Sequence, residues 1–186
     1  MNLAAPRLKL GGLTLLNFSA LDPRAAAAVL RWRNSPGVRR WMYSVALISK
    51  EEHAAFRRRL RADRENVYWL VKSEGRANNL GVIYLNRIDR AAGSAYLGIY
   101  ANPESARPGK GAALMDALLR AAFGGLRLRT LKLEVFADNL KAAAFYKRCG
   151  FRAGRLLKGR ARRGSRIMDV RVMSLKRKDW SDGDGI

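Results

Sequence analysis

The chain has 186 residues and a hydrophobic share of 48%, which suits one domain with its own core. No apolar run approaches the ~20 residues of a membrane helix, Met1 to Leu16 lacks the pattern of a signal peptide, and the single cysteine, Cys149, excludes an internal disulfide. Lys and Arg total 37 against 15 acidic residues, a formal net charge of +22, so anionic partners are expected: nucleic acid, anionic lipid or a phosphate-bearing small molecule.

Charge alone does not choose among these, nor does it separate them from a proteome that simply favours Arg. No Cys/His cluster has zinc-ligand spacing. The reading is a soluble, cytoplasmic protein.

Leu13 to Phe18 reads as a short strand. Asp22-Pro23 supplies an N-cap and a first-turn proline for a helix through Trp32, which Asn34-Ser35-Pro36-Gly37 ends with turn chemistry. Ser49-x-x-Glu52 is a capping box that opens a helix from Lys50 to about Asp63. On it His53, Phe56 and Leu60 share one stripe, and Arg57, Arg58, Arg61 and Arg64 form an opposite, solvated face.

Three strand signals follow: Val67 to Lys72, Leu80 to Ile88 after a turn at Ala77-Asn78-Asn79, and Ala95 to Tyr100 after a turn at Gly93. A glycine-rich segment, Arg107 to Gly111, leads into a helix with an apolar face of Leu114, Met115, Leu118, Leu119 and Ala122. Asp116 and Arg120 are spaced to pair on its outside. Leu131-x-Leu133-x-Val135 alternates as a strand, Asp138-Asn139 caps a helix through Arg148, and Gly150 closes it. Late strands fall at Arg152 to Lys158 and Ile167 to Leu175. This order predicts a mixed α/β sheet with helices on both faces. Residues 1–178 form one domain in this reading, and 179–186 a flexible tail.

The strongest local chemistry lies where the strand Tyr96-Leu97-Gly98-Ile99-Tyr100 passes through the glycine loop into a helix. Backbone N–H groups and the positive helix end then point at one spot, which suits a pyrophosphate. Gly109 and Gly111 let the backbone approach closely, and Arg107 and Lys110 add charge. A plain basic loop has the same composition. The segment is not a Walker loop, which ends in Gly-Lys-Ser/Thr, nor a full dinucleotide fingerprint.

Arg107-Pro108-Gly109-Lys110-Gly111-Ala112-Ala113-Leu114-Met115 resembles the acetyl-CoA loop of the GNAT acetyltransferase superfamily, Q/R-x-x-G-x-G/A, with Ala106 at the leading position and Arg107 beside it. Asn139-x-x-Ala142-x-x-Phe145-Tyr146-x-x-Cys149-Gly150-Phe151 resembles the family's N-x-x-A-x-x-F-Y-x-x-x-G-F. The resemblance implies a mostly antiparallel sheet of about seven strands, splayed at the acetyl-CoA site between the Tyr96–Tyr100 and Leu131–Phe136 strands. It places acetyl-CoA, a co-substrate used without a metal, along Leu97 and Ile99. Further contacts are implied to Arg107, Gly109, Lys110, Gly111, Ala112, Asn139, Phe145 and Tyr146.

Arg33-Asn34, Trp41-Met42-Tyr43-Ser44, Tyr96 to Tyr100 with Asn102-Pro103, Leu133-Glu134-Val135, Gly154-Arg155-Leu156 and Met168-Asp169-Val170 resemble one branch of that family. It is the branch of UDP-4-amino-4,6-dideoxy-N-acetyl-β-L-altrosamine N-acetyltransferases of bacterial pseudaminic acid synthesis, which serves flagellin and surface-glycan glycosylation. The similarity runs from about Val29 to Val172 and implies a UDP-amino-sugar acceptor. Both ligands are phosphate-bearing, although far less charged than +22 requires.

The resemblance implies that Tyr146 protonates the departing thiolate, with a core tyrosine as the bland alternative. Glu134 faces away from Leu133 and Val135, and either lines the acceptor cleft and helps deprotonate the amine or is a solvated carboxylate. His53 is either a structural histidine or an acceptor-site residue, with Phe56, Met42 and Tyr43 nearby. Arg33 suits the UDP phosphates because a guanidinium binds them bidentately, and Tyr96 suits the sugar pocket. Tyr84 receives no role. Cys149 lacks a neighbouring histidine, which speaks against a covalent acetyl-enzyme, and the resemblance implies direct transfer in a ternary complex. The stretch from Arg152 to Lys178 holds eleven Lys/Arg and one acidic residue but no aromatic, so it reads as a phosphate-attracting rim rather than a nucleic-acid surface. Other readings are a protein N-terminal amine or an antibiotic amine as acceptor, or a basic RNA-binding module on the same scaffold. A membrane partner is not expected; a homodimer is left open.

Overall fold

The computed structural model describes residues 2, 5–73, 79–163 and 166–181. Within them the chain forms β1 (Arg7–Leu10), β2 (Leu13–Asn17), α1 (Pro23–Asn34), α2 (Pro36–Arg39), α3 (Lys50–Arg59), β3 (Val67–Ser73), β4 (Asn79–Asp89) and β5 (Ser94–Ala101). Then follow α4 (Lys110–Leu119), running on into a π-helical turn at Arg120–Gly125, β6 (Thr130–Phe136), α5 (Leu140–Arg148), β7 (Arg152–Arg163) and β8 (Arg166–Lys176). The strands make one eight-stranded sheet in the order β1-β2-β3-β4-β5-β6-β8-β7. Every neighbouring pair is antiparallel except β5 and β6.

The expected seven strands become eight because Arg7–Leu10 folds back on β2 through glycines 11 and 12, both at positive φ. The expected turn after α1 is a second helix instead. Ser35 ends α1 and precedes Pro36 at the first turn of α2, a position where proline loses no hydrogen bond. The last two strands run further than the pattern suggested, through Gly159 and the arginines beyond it, because β8 supplies pairing partners as far as Arg163↔Arg166. Of the turn Ala77-Asn78-Asn79, the first two residues lie outside the described ones.

Consecutive buried residues on the central strands show that both sheet faces are covered. Trp69, Leu70 and Val71 are each fully buried, which requires an apolar layer on either side. One face packs Trp69, Val71, Ile83 and Leu85 against Leu114, Met115, Leu118 and Phe123, with Phe145 and Tyr146 at the margin. The other packs Leu70 and Val82 against Ala25, Ala26, Val29 and Trp32 of α1 and Leu60 after α3.

The capping box of α3 is formed reciprocally: Ser49 Oγ accepts from Glu52 N, and Glu52 Oε2 accepts from Ser49 N at 2.7 Å. Its predicted solvated face needs one correction. Arg57 turns inward, where Nε donates to the Phe18 carbonyl at 2.8 Å and Nη2 donates to the Leu21 carbonyl. The Phe18 carbonyl also accepts from Leu21 N at 3.4 Å, so the guanidinium supplies its second donor and ties α3 to the chain before α1. Trp180, expected in a free tail, packs on Phe123 with ring centroids 5.5 Å apart. Residues 182–186 lie outside the described ones.

Candidate active site in the sheet split

Strands β5 and β6 pair at only three positions, Ser94↔Thr130, Ala95↔Leu131 and Tyr96↔Lys132. Beyond Tyr96 and Lys132 they diverge, while β4 continues to hold β5 and β8 continues to hold β6. The facing edges of Leu97–Ala101 and Leu133–Phe136 thus present backbone groups to the wedge between them. Such groups need partners, and an extended ligand bearing amides supplies them as an added strand does.

The glycine loop closes the upper end of this wedge. Gly109 is the N-cap of α4 with φ of 72°, and nothing lies within 4 Å of a Cβ built there. The requirement for glycine is therefore the left-handed backbone itself. The first N–H groups of α4 have no acceptor within the helix, so they make an anion-binding end. A Cβ on Gly111 would touch the Phe145 ring at 3.4 Å, so the loop motif and the Asn139–Phe151 motif meet in space.

The basic side chains of the loop serve its shape. Lys110 Nζ donates to the Asn102 carbonyl at 2.7 Å and to the Ser105 carbonyl, and Arg107 Nη1 donates to Ser73 Oγ at 2.8 Å. In this arrangement Lys110 folds the loop, and the first backbone N–H groups of α4 are what remain to meet an anion. Asn139 caps α5, its Oδ1 accepting from Ala142 N at 3.2 Å. Tyr146, on α5, packs by Phe145 and Phe151. Burial, and to a lesser degree Cys149, pushes its phenol up to about 12, so it stays protonated at neutral pH. Burial raises the Cys149 thiol to about 11, which keeps it protonated at neutral pH.

Two adjoining cavities flank the split on its other side. One, of about 190 Å³, is lined by Trp41, Met42, Tyr43, Tyr96, Leu97 and Glu134, and so reaches both split strands. The other, of about 320 Å³, is lined by Arg33, His53, Phe56, Tyr68 and Tyr100, and shares Met42, Tyr43 and Tyr84 with the first. The structure therefore brings Arg33, Met42, Tyr43, His53, Phe56, Tyr96 and Glu134 to one place.

The segment between α2 and α3 roofs both cavities and is tied down from several directions. Asn34 Nδ2 donates to the Ile48 carbonyl at 2.8 Å and Asn34 Oδ1 accepts from Ile48 N at 3.0 Å. Arg33 Nη2 donates to the Ser44 carbonyl at 3.1 Å. Tyr43 Oη donates to Glu134 Oε2, bridging the roof to β6, and Arg160 of β7 also reaches Tyr43. Burial, then the Glu134 bond, raises the Tyr43 phenol.

Arg33 stands among the phenol rings of Tyr68, Tyr84 and Tyr100, where burial lowers its pKa. Its Nη1 is buried without a hydrogen-bond partner. Arg33 also lines the 320 Å³ cavity, so this wall carries positive charge. His53 is depressed to about 4, first by burial and then by Arg57, and is neutral at physiological pH. Tyr96 lies between two cations, Arg87 at 5.0 Å and Lys132 at 5.9 Å from its ring centroid.

Sequence reading missed several members of this site. Tyr84 stacks on Tyr68 at 4.7 Å and fills the space that Gly98 leaves open. Arg87 sits at positive φ beside a register shift in β4, and Asn86 Oδ1 is buried without a partner in the 190 Å³ cavity. The only available signal was the aromatic alternation Tyr84, Tyr96, Tyr100 on paired strands. Among the described residues no group of three or more His, Cys, Asp or Glu side chains is placed to hold a metal ion. No helix among them is long and apolar enough to cross a membrane.

The family model for the acetyltransferase (GNAT) domain matches residues 13–152. The chain belongs to the GNAT acetyltransferases. It is 32% identical over 139 residues to Acetyltransferase PseH of Campylobacter jejuni serotype O:23/36, covering 75% of this chain and 84% of that one. A second Campylobacter jejuni PseH, of serotype O:2, is 33% identical over the same length. Among solved structures, a Vibrio cholerae spermidine N-acetyltransferase with CoA and spermine has a TM-score of 0.82 at 23% identity, over 90% of this chain and 97% of that one. Campylobacter jejuni N-acetyltransferase PseH in complex with acetyl coenzyme A has a TM-score of 0.66 at 27% identity, over 88% and 98%. This GNAT enzyme is an N-acetyltransferase with acetyl-CoA as donor, and the split with its helix-end cradle is the feature that fits that co-substrate.

Proposed function

We propose that this GNAT enzyme acetylates the 4-amino group of a UDP-4-amino-4,6-dideoxy-N-acetyl sugar in the cytoplasm, by direct transfer in a ternary complex. The observation that carries the reading is the Arg33 guanidinium, a cation in the wall of a cavity that adjoins the split. A phosphate-bearing acceptor supplies the counter-charge that suits it. The likeness to two PseH acetyltransferases supports the same choice. A groove of about 880 Å³ between α1 and α3 shares Ile48 and His53 with that cavity and gives room for a nucleotide-sized acceptor.

The spermidine acetyltransferase likeness bears on the fold alone. A polyamine acceptor calls for carboxylates, and the two acceptor cavities hold one, Glu134, already bonded to Tyr43, beside Arg33 and Arg87. A cationic substrate would meet like charge there.

Acetyl transfer forms a C–N bond at the thioester carbonyl and breaks the C–S bond, so a proton leaves the amine and negative charge builds on sulfur. Tyr146 is assigned to the sulfur. With its phenol near 12 and a thiol ordinarily near ~8.5, outright proton transfer is unfavourable by roughly three orders of magnitude. Hydrogen-bond donation as the charge develops is the role that fits. Glu134 is assigned to the amine side, where it orients Tyr43 and accepts the proton through water. Titration of the protein with UDP tests the acceptor class: UDP should bind wild type and bind Arg33→Ala at least ~10-fold more weakly, since a bond to a charged group contributes about 1.5–3 kcal/mol. No UDP binding by wild type would contradict the proposal.

A further inference from the structure

We propose that the end of the sheet opposite the split is a docking surface for the phosphate backbone of double-stranded nucleic acid, bound without regard to base sequence. The strand directions bring together at this end Arg90 in the β4–β5 turn, Arg127 and Arg129 before β6, Arg152 opening β7, and Lys176, Arg177 and Lys178 closing β8. A shallow concavity of about 630 Å³ there is lined by Ala92, Arg129, Thr130, Lys176, Arg177 and Lys178. Four of those six residues are cationic and none is acidic. The carboxylates at this end are fewer than the cations: Asp89 accepts from Ala92 N at 2.8 Å, Asp179 lies 3.9 Å from Arg152, and Asp63 and Glu65 precede β3. Arg129 Nη2 donates to the Ala91 carbonyl at 2.9 Å, which fixes that side chain at the rim.

The shape and chemistry select the occupant. A concave cationic surface follows a charged rod, whereas a flat bilayer touches only its rim. Among the described residues, the well-exposed apolar side chains Val45, Leu47, Leu140 and Ile167 lie outside this end, while Leu126 and Trp180 at this end are partly buried, Trp180 against Phe123, and are not free to insert into lipid. No aromatic residue lines the concavity, so there is no stacking platform for single-stranded bases. What remains is contact with backbone phosphates, strengthened by the field of a chain at +22. The eight residues of β5, at ~3.3 Å each, set this end about 25 Å from the far end of that strand at the split, so docking and acetyl transfer are compatible.

The test is fluorescence anisotropy of the full chain with a labelled DNA duplex of about 20 base pairs over a range of salt. Each phosphate contact contributes ~0.9 to the slope of log affinity against log salt. The triple variant Lys176→Ala, Arg177→Ala, Lys178→Ala should therefore lower the slope by about 2.7 while acetyl-CoA turnover is unchanged. An equal charge change on β7, Arg155→Ala, Lys158→Ala, Arg162→Ala, should lower it by less than about 1. The single variants Lys176→Ala and Lys178→Ala, each lowering it by ~0.9, give the same reading if the triple melts early. Equal effects of the two triples would show a diffuse field and overturn the proposal. So would an absence of duplex binding by wild type at low salt, or a loss of anionic-vesicle binding in the first triple with duplex binding intact.

Discussion

A Cβ added at Gly98 would lie 1.9 Å from Cζ of Tyr84 and 2.1 Å from its hydroxyl, so the bare backbone of β5 is what admits that ring. Tyr84 in turn is a wall of both acceptor cavities. Gly98→Ala should force the ring aside, lower stability by about 1–3 kcal/mol and reduce turnover; an unshifted melting curve with normal kinetics would remove Gly98 from this role. Tyr146→Phe should lower kcat by ~100-fold, the scale of a single hydrogen-bond donor to developing charge, and leave the KM for acetyl-CoA within about two-fold. Undiminished kcat would take Tyr146 out of the reaction.

His53 gives a pH signature. Its folded value, about 4, lies below the ordinary 6.5, so between those values the unfolded chain binds a proton that the folded chain refuses. That contribution to stability is complete above pH ~6.5 and declines as pH falls toward ~4, by at most about 3 kcal/mol. Chemical denaturation of His53→Gln should show a flatter profile across that window than wild type; parallel profiles would mean His53 titrates alike in both states. The motif residues of the site were legible one by one in the sequence, because glycine, tyrosine and asparagine sit at fixed spacings there. Tyr84 and Arg87 were not, because their roles depend on which residues face them across β4 and β5, and pairing register is absent from a linear pattern.

Among elements, the α2–α3 segment has few apolar anchors and is held by polar ties. Tyr43 and Leu47 are 47% and 66% exposed, so hydrophobic burial does little to fix it. Asn34 provides two of those ties. Asn34→Ala should loosen the roof, raise the KM for the acceptor about 10-fold and leave the KM for acetyl-CoA unchanged, given ~0.5–1.5 kcal/mol for each of two bonds. An equal rise in both KM values would mean that the loss is global. Helix positions were read well where caps announced them, as at Asp22, Ser49 and Asn139. The first strand and the far end of the β7–β8 hairpin were not, because Arg7–Leu10 is only four residues long and the arginine-rich stretch beyond Lys158 has no apolar alternation to reveal it.

For the whole molecule, the parallel β5–β6 junction is the feature from which the function follows. The order β5-β6-β8-β7 leaves two strand edges facing each other across a wedge, and the helix ends and the acceptor cavities converge on it from opposite faces. The resemblance to a known family made this geometry expected, whereas residue spacing alone supplied only the loop and its helix. Two groups of cations line separate hollows: Arg33 and Arg87 the acceptor cavities, and Arg129, Lys176, Arg177 and Lys178 the concavity where β6 begins and β8 ends. The most direct test of the central claim is free-thiol release from acetyl-CoA with three acceptors offered separately: the UDP-4-amino sugar, spermidine and an N-terminal ribosomal-protein peptide. Saturable release is expected with the UDP-amino sugar and at most background with the other two. Release with spermidine or the peptide and none with the sugar would contradict that claim.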